Sequence, residues 1–213
     1  VQQMNHDIIH RGPDDSGYWC EDWCSVGVRR VSIVDLSEHG HQPLFDPTGT
    51  YFIVYNGEVY NYSQLRTQLE GDGVDFKSSS DTEVVLQSFI RWGENCVDRL
   101  SGMFAFIIVN IKTRDIFIAR DHLGIKPLYY SEDGDYLYFA SEIKALRHVV
   151  KFELNHDVLY EQFAFRYVAG PSTPFKNIYK FSPGTTWRFL QAEAPKRRQF
   201  YSVTDTLKSE NDS

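Results

Sequence analysis

The feature that most constrains the fold is a run of strand-like segments between residues 103 and 140. The segments MFAFIIVNI, DIFIAR, KPLYYS and DYLYFA are rich in β-branched and aromatic residues, and KTRD and EDGD supply polar breaks between them. Apolar runs joined by such short turns are typical of antiparallel hairpins. The sequence therefore predicts antiparallel β-structure in the middle of the chain.

Helical patterns surround this region. Ser80 and Glu83 form a capping-box pattern ahead of an apolar helical stripe. YSQLRTQLE follows the N-cap candidate Asn61, and NHDVLYEQFAF begins with the N-cap candidate Asn155. Helices and hairpins alternate without regular βαβ units. The predicted class is therefore α+β, with antiparallel sheets flanked by helices, rather than a doubly wound parallel sheet.

Composition excludes several functional classes. Of 213 residues, 42% are hydrophobic and 15% aromatic, and the formal net charge is -7, so a packed core is expected and a nucleic-acid partner is not. The sequence contains no apolar run of membrane-spanning length and neither of the Gly-rich phosphate-loop motifs. We therefore predict a cytoplasmic location and no membrane partner.

The three cysteines and the histidines do not indicate a metal site. Cys20, Cys24 and Cys96 lack further ligands at zinc spacing, so reduced thiols are the simpler interpretation. His10, His39 and His41 lie in polar, turn-rich segments and are interpreted as structural or loop contacts. No metal ligand is predicted.

The stretch FIVYNGEVYNY at residues 52–62 has two interpretations. Asn56-Gly57 between strand-like runs predicts a β-hairpin with a two-residue turn, because this pair tolerates positive φ angles. The same pair can also direct a side-chain amide and a backbone N–H towards a developing oxyanion. Turn chemistry alone leaves both interpretations open.

A set of motifs in a fixed order gives the chain a family resemblance. These motifs are HRGPDDSG, RRVSIVDLS, GHQP, NGEVYNY, SSSDTEV, GMFAF, ARDHLGIKPLYY and FASEIKAL. In this order they resemble the N-terminal glutaminase domain of the glutamine-hydrolysing asparagine synthetases, a class II glutamine amidotransferase. The likeness extends from residue 4 to about residue 190, and it includes YVAGPSTPF and FSPGTTWRF.

The resemblance implies a fold and an activity. The fold is that of an N-terminal-nucleophile hydrolase, a four-layer sandwich of two antiparallel β-sheets between helical layers. Residues 1–190 would be the glutaminase domain, without its first strand and N-terminal cysteine, and residues 191–213 a polar linker towards an absent synthetase domain. The family hydrolyses L-glutamine to glutamate and ammonia, and its second domain uses ammonia, ATP and Mg²⁺ to convert aspartate to asparagine.

The resemblance also implies roles for individual residues. The side chain of Asn56 and the N–H of Gly57 would form the oxyanion hole, Arg30 would hold the α-carboxylate of glutamine, and Asp81 its α-ammonium group. An Asp in a first helical turn is also favoured by the helix dipole, so local physics alone does not separate the two readings of Asp81. Further residues lining the glutamine site would be Val31, Ser32, Ile33, Val34 and Glu58.

The nucleophile implied by the family does not occur in the sequence. Family members begin with Cys-Gly-Ile, and the free amine of that cysteine acts as the base. Here residue 1 is Val1, and Cys-Gly-Ile occurs nowhere. We expect a strand with this cysteine upstream of Val1, and a chain without the cysteine is expected to be inactive.

Two other functions stay open at this stage. One is a degenerate glutaminase-like module that binds glutamine or a partner subunit without catalysis. The other is a relative that forms lactams or amidates a different acceptor. No cofactor is expected in residues 1–190, and a homodimer is an open alternative.

Overall fold

The chain is described by a computed structural model that covers residues 1–30, 41–191 and 193–205. The α-helices are α1 (Gln2–Asp7), α2 (Tyr62–Gly71), α3 (Asp81–Trp92) and α4 (His156–Phe165), and short 3-10 helices span Ile9–Arg11, Gly93–Arg99 and Ile143–His148. The strands are β1 (Asp15–Glu21), β2 (Cys24–Arg30), β3 (Leu44–Phe45), β4 (Tyr51–Val59), β5 (Gly102–Asn110), β6 (Ile116–Arg120), β7 (Tyr129–Asp133), β8 (Tyr136–Ala140), β9 (Tyr179–Lys180), β10 (Thr185–Phe189) and β11 (Lys196–Gln199).

The strands of the described residues form antiparallel sheets. The largest has the order β11-β10-β6-β5-β4-β3, a second has the order β8-β7-β9, and β1 pairs with β2. The four segments predicted between residues 103 and 140 are β5 to β8, and the chain passes from the large sheet to the second one between β6 and β7. The prediction of antiparallel β-structure is confirmed.

Helices α2 and α3 cover one face of the large sheet. Their apolar side chains meet those of β4, β5 and β6 in a core that excludes water, with α3 contributing Val84, Val85 and Leu86. Burying a side chain of this size stabilises the fold by about 1.5–3 kcal/mol. The apolar stripe predicted for α3 is therefore the side of the helix that packs on the sheet.

The opposite face of the large sheet packs on the second sheet. Trp187 of β10 lies 4.7 Å from the ring of Tyr130 of β7 and 4.8 Å from that of Phe181. The preceding residue of β7, Tyr129, faces the other way and packs with Met4 of α1 and with Leu146. The layers are therefore α2 and α3, the large sheet, the second sheet, and α1 with the 3-10 helix Ile143–His148. This confirms the expected four-layer fold.

The start of α3 differs in one respect from the predicted capping box. Ser80 Oγ accepts a hydrogen bond from the N–H of Thr82 at 3.2 Å, as expected of an N-cap. Glu83 instead accepts from the N–H groups of Lys77 and Ser78 and from the Ser78 hydroxyl. The prediction is right for Ser80 and wrong for Glu83, which holds the preceding loop.

The other two N-cap candidates make no side-chain cap. Asn61 precedes α2, but its amide donates to the carbonyl of Arg99 and accepts from the N–H of Ser101. Asn155 precedes α4 and makes no capping hydrogen bond with its side chain. Asn61 joins distant segments because its side chain lies next to the start of β5.

The segment predicted as a polar linker contains a strand. β11 pairs with β10 in the register Thr186 to Arg198, and Nη2 of Arg198 contacts both carboxylate oxygens of Asp98, at 2.7 and 2.8 Å. Phe200 packs against the core of the helical face. Polar composition concealed this strand because it is an edge strand with exposed side chains. The division at residue 190 stays a prediction.

Candidate active site

Strand β4 runs straight through Asn56 and Gly57. Asn56 lies opposite Ala105 of β5 and Gly57 opposite Phe104, with no turn between them. The predicted two-residue hairpin turn is therefore wrong. A Cβ at Gly57 would lie 2.5 Å from the carbonyl oxygen of Met103 and 2.8 Å from Cα of Phe104. The glycine is required by close approach of the strands and not by a positive φ.

One edge of β4 is held by a side chain in place of a strand. The Gln42 side-chain oxygen accepts from the N–H of Tyr55 at 2.7 Å, and its NH₂ donates to the carbonyl of Tyr55 at 3.1 Å. Pro43, between Gln42 and β3, has no N–H to offer to a ladder. The almost fully buried amide of Gln42 therefore continues the pairing beyond β3. We call its two hydrogen bonds to Tyr55 the Gln42 clamp.

The N–H of Gly57 lies on this same edge. Backbone groups alternate between the two edges of a strand, so Tyr55, Gly57 and Val59 direct their N–H groups together. The backbone of Phe104, opposite Gly57, bonds in the other direction to Asp121, through its N–H at 3.2 Å and its carbonyl at 2.8 Å. In the described part of the chain no strand pairs with this edge at Gly57.

Asp81 takes the next position along the edge. Its Oδ2 accepts from the N–H of Val59 at 3.0 Å and from the hydroxyl of Tyr55 at 2.7 Å. Asp81 is the first residue of α3, where the helix dipole stabilises a negative charge. The N–H of Gly57 thus lies between a clamp at Tyr55 and a carboxylate at Val59, about 7 Å from each along the strand.

The side chain of Asn56 lies on the other face of the sheet from that of Tyr55. Successive side chains of a strand alternate, and Tyr55 faces the helices. Asn56 shares its face with Ala105, which belongs to the core between the sheets. It is half-buried there. Near the end of β4, the side chain of Asn56 therefore lies on the face towards the second sheet, and the N–H of Gly57 lies on the edge of the strand.

A buried carboxylate fixes the strand opposite Gly57. Asp121 is fully buried, and besides the N–H of Phe104 it accepts from those of Leu123, Ile125 and Lys126. The preceding residue, Arg120, donates to the carbonyls of Gly124, Lys126 and Phe181. These bonds order the loop of the ARDHLGIKP motif and hold β5 where Gly57 meets it.

Arg30 is at the end of β2. It lies opposite Asp15 in the β1–β2 ladder and beside Pro13. Arg29 donates to the carbonyl of Asn5 in α1, so Arg30 faces the other side of the strand, as predicted for this pair. The carboxylate of Asp15 accepts a hydrogen bond from Nδ1 of His41 at 2.8 Å. That contact joins this strand end to the Gln42 clamp.

The structure brings some of the predicted site residues together. Gly57 and Asp81 lie along the same edge of β4, the side chain of Asn56 lies on the sheet face opposite that of Tyr55, and Glu58 is exposed. The backbone of Arg30 lies opposite Asp15, and Asp15 contacts His41, the residue before Gln42. Val31, Ser32, Ile33, Val34 and His39 lie outside the described residues. His10 bonds to Glu142 and His41 to Asp15, which agrees with their interpretation as loop contacts.

Comparison with known proteins decides the family. A family model described as a glutamine amidotransferase domain matches residues 1–201. The chain belongs to this family. The amidotransferase domain is 43% identical over 186 residues to asparagine synthetase [glutamine-hydrolyzing] 1 of Bacillus subtilis, covering 87% of this chain and 29% of that protein. With the B. subtilis asparagine synthetase 3 it shares 38% identity over 219 residues, covering 96% of this chain and 36% of that protein.

Solved structures agree on the fold. The amidotransferase domain matches glutamine phosphoribosylpyrophosphate amidotransferase from B. subtilis with a TM-score of 0.65 at 22% identity, over 94% of this chain and 46% of that one. It matches an allosteric regulatory enzyme of purine biosynthesis with a TM-score of 0.60 at 26% identity, over 84% of this chain and 35% of that one. The chain spans about a third of the length of the two B. subtilis asparagine synthetases that it matches.

Three residues that shape the candidate site were not identified from the sequence. Tyr55 precedes the Asn-Gly pair, Gln42 precedes a proline, and Asp121 lies within ARDHLGIKP. Each stood in a motif that was noted, so proximity to the motif was the available signal. Their roles depend on contacts between residues distant in the sequence, which no local pattern contains.

Cys24 and Cys96 are not activated thiols. Burial raises the pKa of Cys24 to about 11, with a further contribution from Cys20, and burial raises the pKa of Cys96 well above its usual value. Both therefore stay protonated at neutral pH.

Among the helices that the structure describes, none has the length and apolar character needed to span a lipid bilayer.

Proposed function

We propose that this amidotransferase domain binds L-glutamine at the end of β4 and supports its hydrolysis to glutamate and ammonia. The observation that carries the proposal is the N–H of Gly57, which lies on a strand edge between the Gln42 clamp and the Asp81 carboxylate. A backbone donor with fixed direction beside a carboxylate suits a substrate with a reacting amide and an ammonium group.

The chemistry follows from the direction of these groups. Attack on the side-chain amide of glutamine places a negative charge on its oxygen, and the N–H of Gly57 with the amide of Asn56 stabilises that charge. Removing one such donor costs about 3 kcal/mol of transition-state stabilisation. Arg30 binds the α-carboxylate as a two-pronged donor, and Asp81 binds the α-ammonium group.

The proposal assigns the nucleophile to an N-terminal cysteine upstream of Val1. Cys20, Cys24 and Cys96 are all internal, so none of them carries the free α-amine that would act as the base. The raised pKa values of Cys24 and Cys96 also disfavour a thiolate there. A chain that begins at Val1 is accordingly proposed to bind glutamine without hydrolysing it.

The larger reaction is part of the proposal. The relatives carry names of glutamine-hydrolysing asparagine synthetases. We propose that ammonia from this domain serves the ATP- and Mg²⁺-dependent amidation of aspartate in a further domain, in the cytoplasm.

N-terminal sequencing of the native protein, with an assay of glutamate release, tests the proposal. A mature chain that begins with cysteine and releases glutamate from glutamine supports it. A native chain that begins at Val1, or one that begins with cysteine and does not hydrolyse glutamine, contradicts the proposed hydrolysis and favours a module that only binds glutamine or a partner.

A further inference from the structure

Tyr55 makes a contact that the proposed reaction does not yet explain. Its hydroxyl donates to Oδ2 of Asp81 at 2.7 Å, although the two residues are 26 positions apart. The phenol comes from β4 and the carboxylate from the first turn of α3. The same oxygen accepts the N–H of Val59 at 3.0 Å.

These two bonds fix one oxygen and leave the other available. Oδ1 of Asp81 accepts no hydrogen bond from the residues that the structure describes, and Asp81 is only partly buried. A carboxylate held at one oxygen has one orientation of its plane, so its second oxygen points in a fixed direction. An ammonium ligand benefits from such a carboxylate because binding does not have to order it.

Tyr55 is itself held in place. Its ring belongs to the core beneath α3 and is only 8% exposed, and Gln42 bonds both its N–H and its carbonyl. Burial, followed by the charge and the hydrogen bond of Asp81, raises the pKa of Tyr55 far above its usual value. The phenol is therefore a donor at every pH at which the protein would work.

We propose that Tyr55 is a positioning residue, which turns the carboxylate of Asp81 towards the α-ammonium group of glutamine and so sets the preference of the site for an α-amino acid. This inference rests on the proposed function, because it assumes that Asp81 meets the ammonium group. Tyr55 acts through Asp81 and does not touch the substrate.

The alternative is a tyrosine that only completes the core. In that case, loss of the hydroxyl would change stability and would change the affinity for every ligand of the site alike. A positioning role has a narrower consequence, since only ligands with an α-ammonium group would lose affinity.

The test compares two ligands that differ in this group. L-glutamine and 4-carbamoylbutanoate, which is glutamine without its α-amino group, are titrated calorimetrically into the full chain. The variants are Tyr55→Phe, Asp81→Asn and the double variant. Tyr51→Phe is the matched control, because Tyr51 lies on the same strand and packs against Phe89 of the same core.

The expected result is a loss that depends on Asp81. Tyr55→Phe should weaken glutamine binding about tenfold, the size of one hydrogen bond to a charged group. It should leave 4-carbamoylbutanoate unchanged, and it should have no further effect in the Asp81→Asn background. Tyr51→Phe should bind both ligands as the unmodified chain does.

Two other results overturn different claims. If Asp81→Asn loses the preference for glutamine while Tyr55→Phe keeps it, the role of Tyr55 is wrong and the proposed function stands. If the unmodified chain binds glutamine no better than 4-carbamoylbutanoate, Asp81 is not the ammonium site and the proposed function itself is wrong. Thermal unfolding of each variant shows whether an altered affinity comes from an intact fold.

Discussion

The hydroxyl of Tyr55 and the carboxylate of Asp81 lie 2.7 Å apart and join β4 of the large sheet to the first turn of α3. The bond connects the large sheet to the helical layer, two residues before Gly57 on β4. β4 and α3 also share a core of buried side chains, which packs the helix against this part of the sheet. The candidate site is thus built on regular elements rather than on a loop.

The first prediction concerns the amide of Asn56. Asn56→Ala in the native protein should lower kcat for glutamine hydrolysis about 100-fold or more and change glutamine affinity much less, because the oxyanion exists only in the transition state. Steady-state kinetics with a separate binding titration measure the two effects. Asn95→Ala, at an exposed position, is the control. Equal loss of binding and of kcat would contradict the assigned role.

The second prediction concerns the guanidinium of Arg30. Arg30→Ala should weaken glutamine binding by about tenfold or more, since an ion pair with two hydrogen bonds to a carboxylate is lost. Its effect on kcat at saturating glutamine should be smaller. Arg91→Ala, which removes an exposed ion pair to Asp72, should leave affinity unchanged. An Arg30→Ala protein with normal affinity would exclude Arg30 from the site.

How much the sequence predicted depends on the range of the contacts. The strands β5 to β8 follow from alternation and turn residues, and α3 follows from its N-cap and apolar stripe, all of which are local. Local propensity at Asn56-Gly57 favours a turn, but pairing with Phe104 and Ala105 extends the strand through it. The roles of Gln42 and Tyr55 arise from partners 13 and 26 positions away, so they required the folded chain.

The third prediction concerns the stability provided by Gln42. Gln42→Ala removes two buried hydrogen bonds and leaves the N–H and carbonyl of Tyr55 without them, so the free energy of unfolding should fall by about 2–3 kcal/mol. Urea denaturation measures this change. Gln64→Ala, on the exposed face of α2, should alter stability by no more than about 0.5 kcal/mol. A Gln42→Ala protein as stable as the unmodified chain would mean that the clamp is not needed.

The fourth prediction concerns acid stability and Asp46. Burial acts to raise the pKa of Asp46, but hydrogen bonds from Thr48, Tyr51 and Thr50 outweigh it and hold the pKa below its usual value. A lowered folded-state pKa stabilises the fold above the unfolded-state pKa of about 3.9, and this stabilisation is lost as the pH falls through the folded-state value. Asp46→Asn should therefore be less stable than the unmodified chain at pH 6, with a smaller difference near pH 3.

Urea unfolding at both pH values tests this prediction. Asp135→Asn, an exposed residue in the turn between β7 and β8, is the control and should show the same difference at both pH values. A stability difference for Asp46→Asn that stays constant or grows towards pH 3 would show that the carboxylate of Asp46 is not stabilised by its hydrogen bonds.

The most direct measurement of the central claim is a titration of the full chain with L-glutamine, followed by the backbone amide resonances in nuclear magnetic resonance spectra. We predict saturable shifts that are largest at Gly57, Val59 and Asp81, and that are much reduced in Asp81→Asn. Shifts centred elsewhere, with these three amides unchanged at saturation, or no shifts at millimolar glutamine, would contradict it.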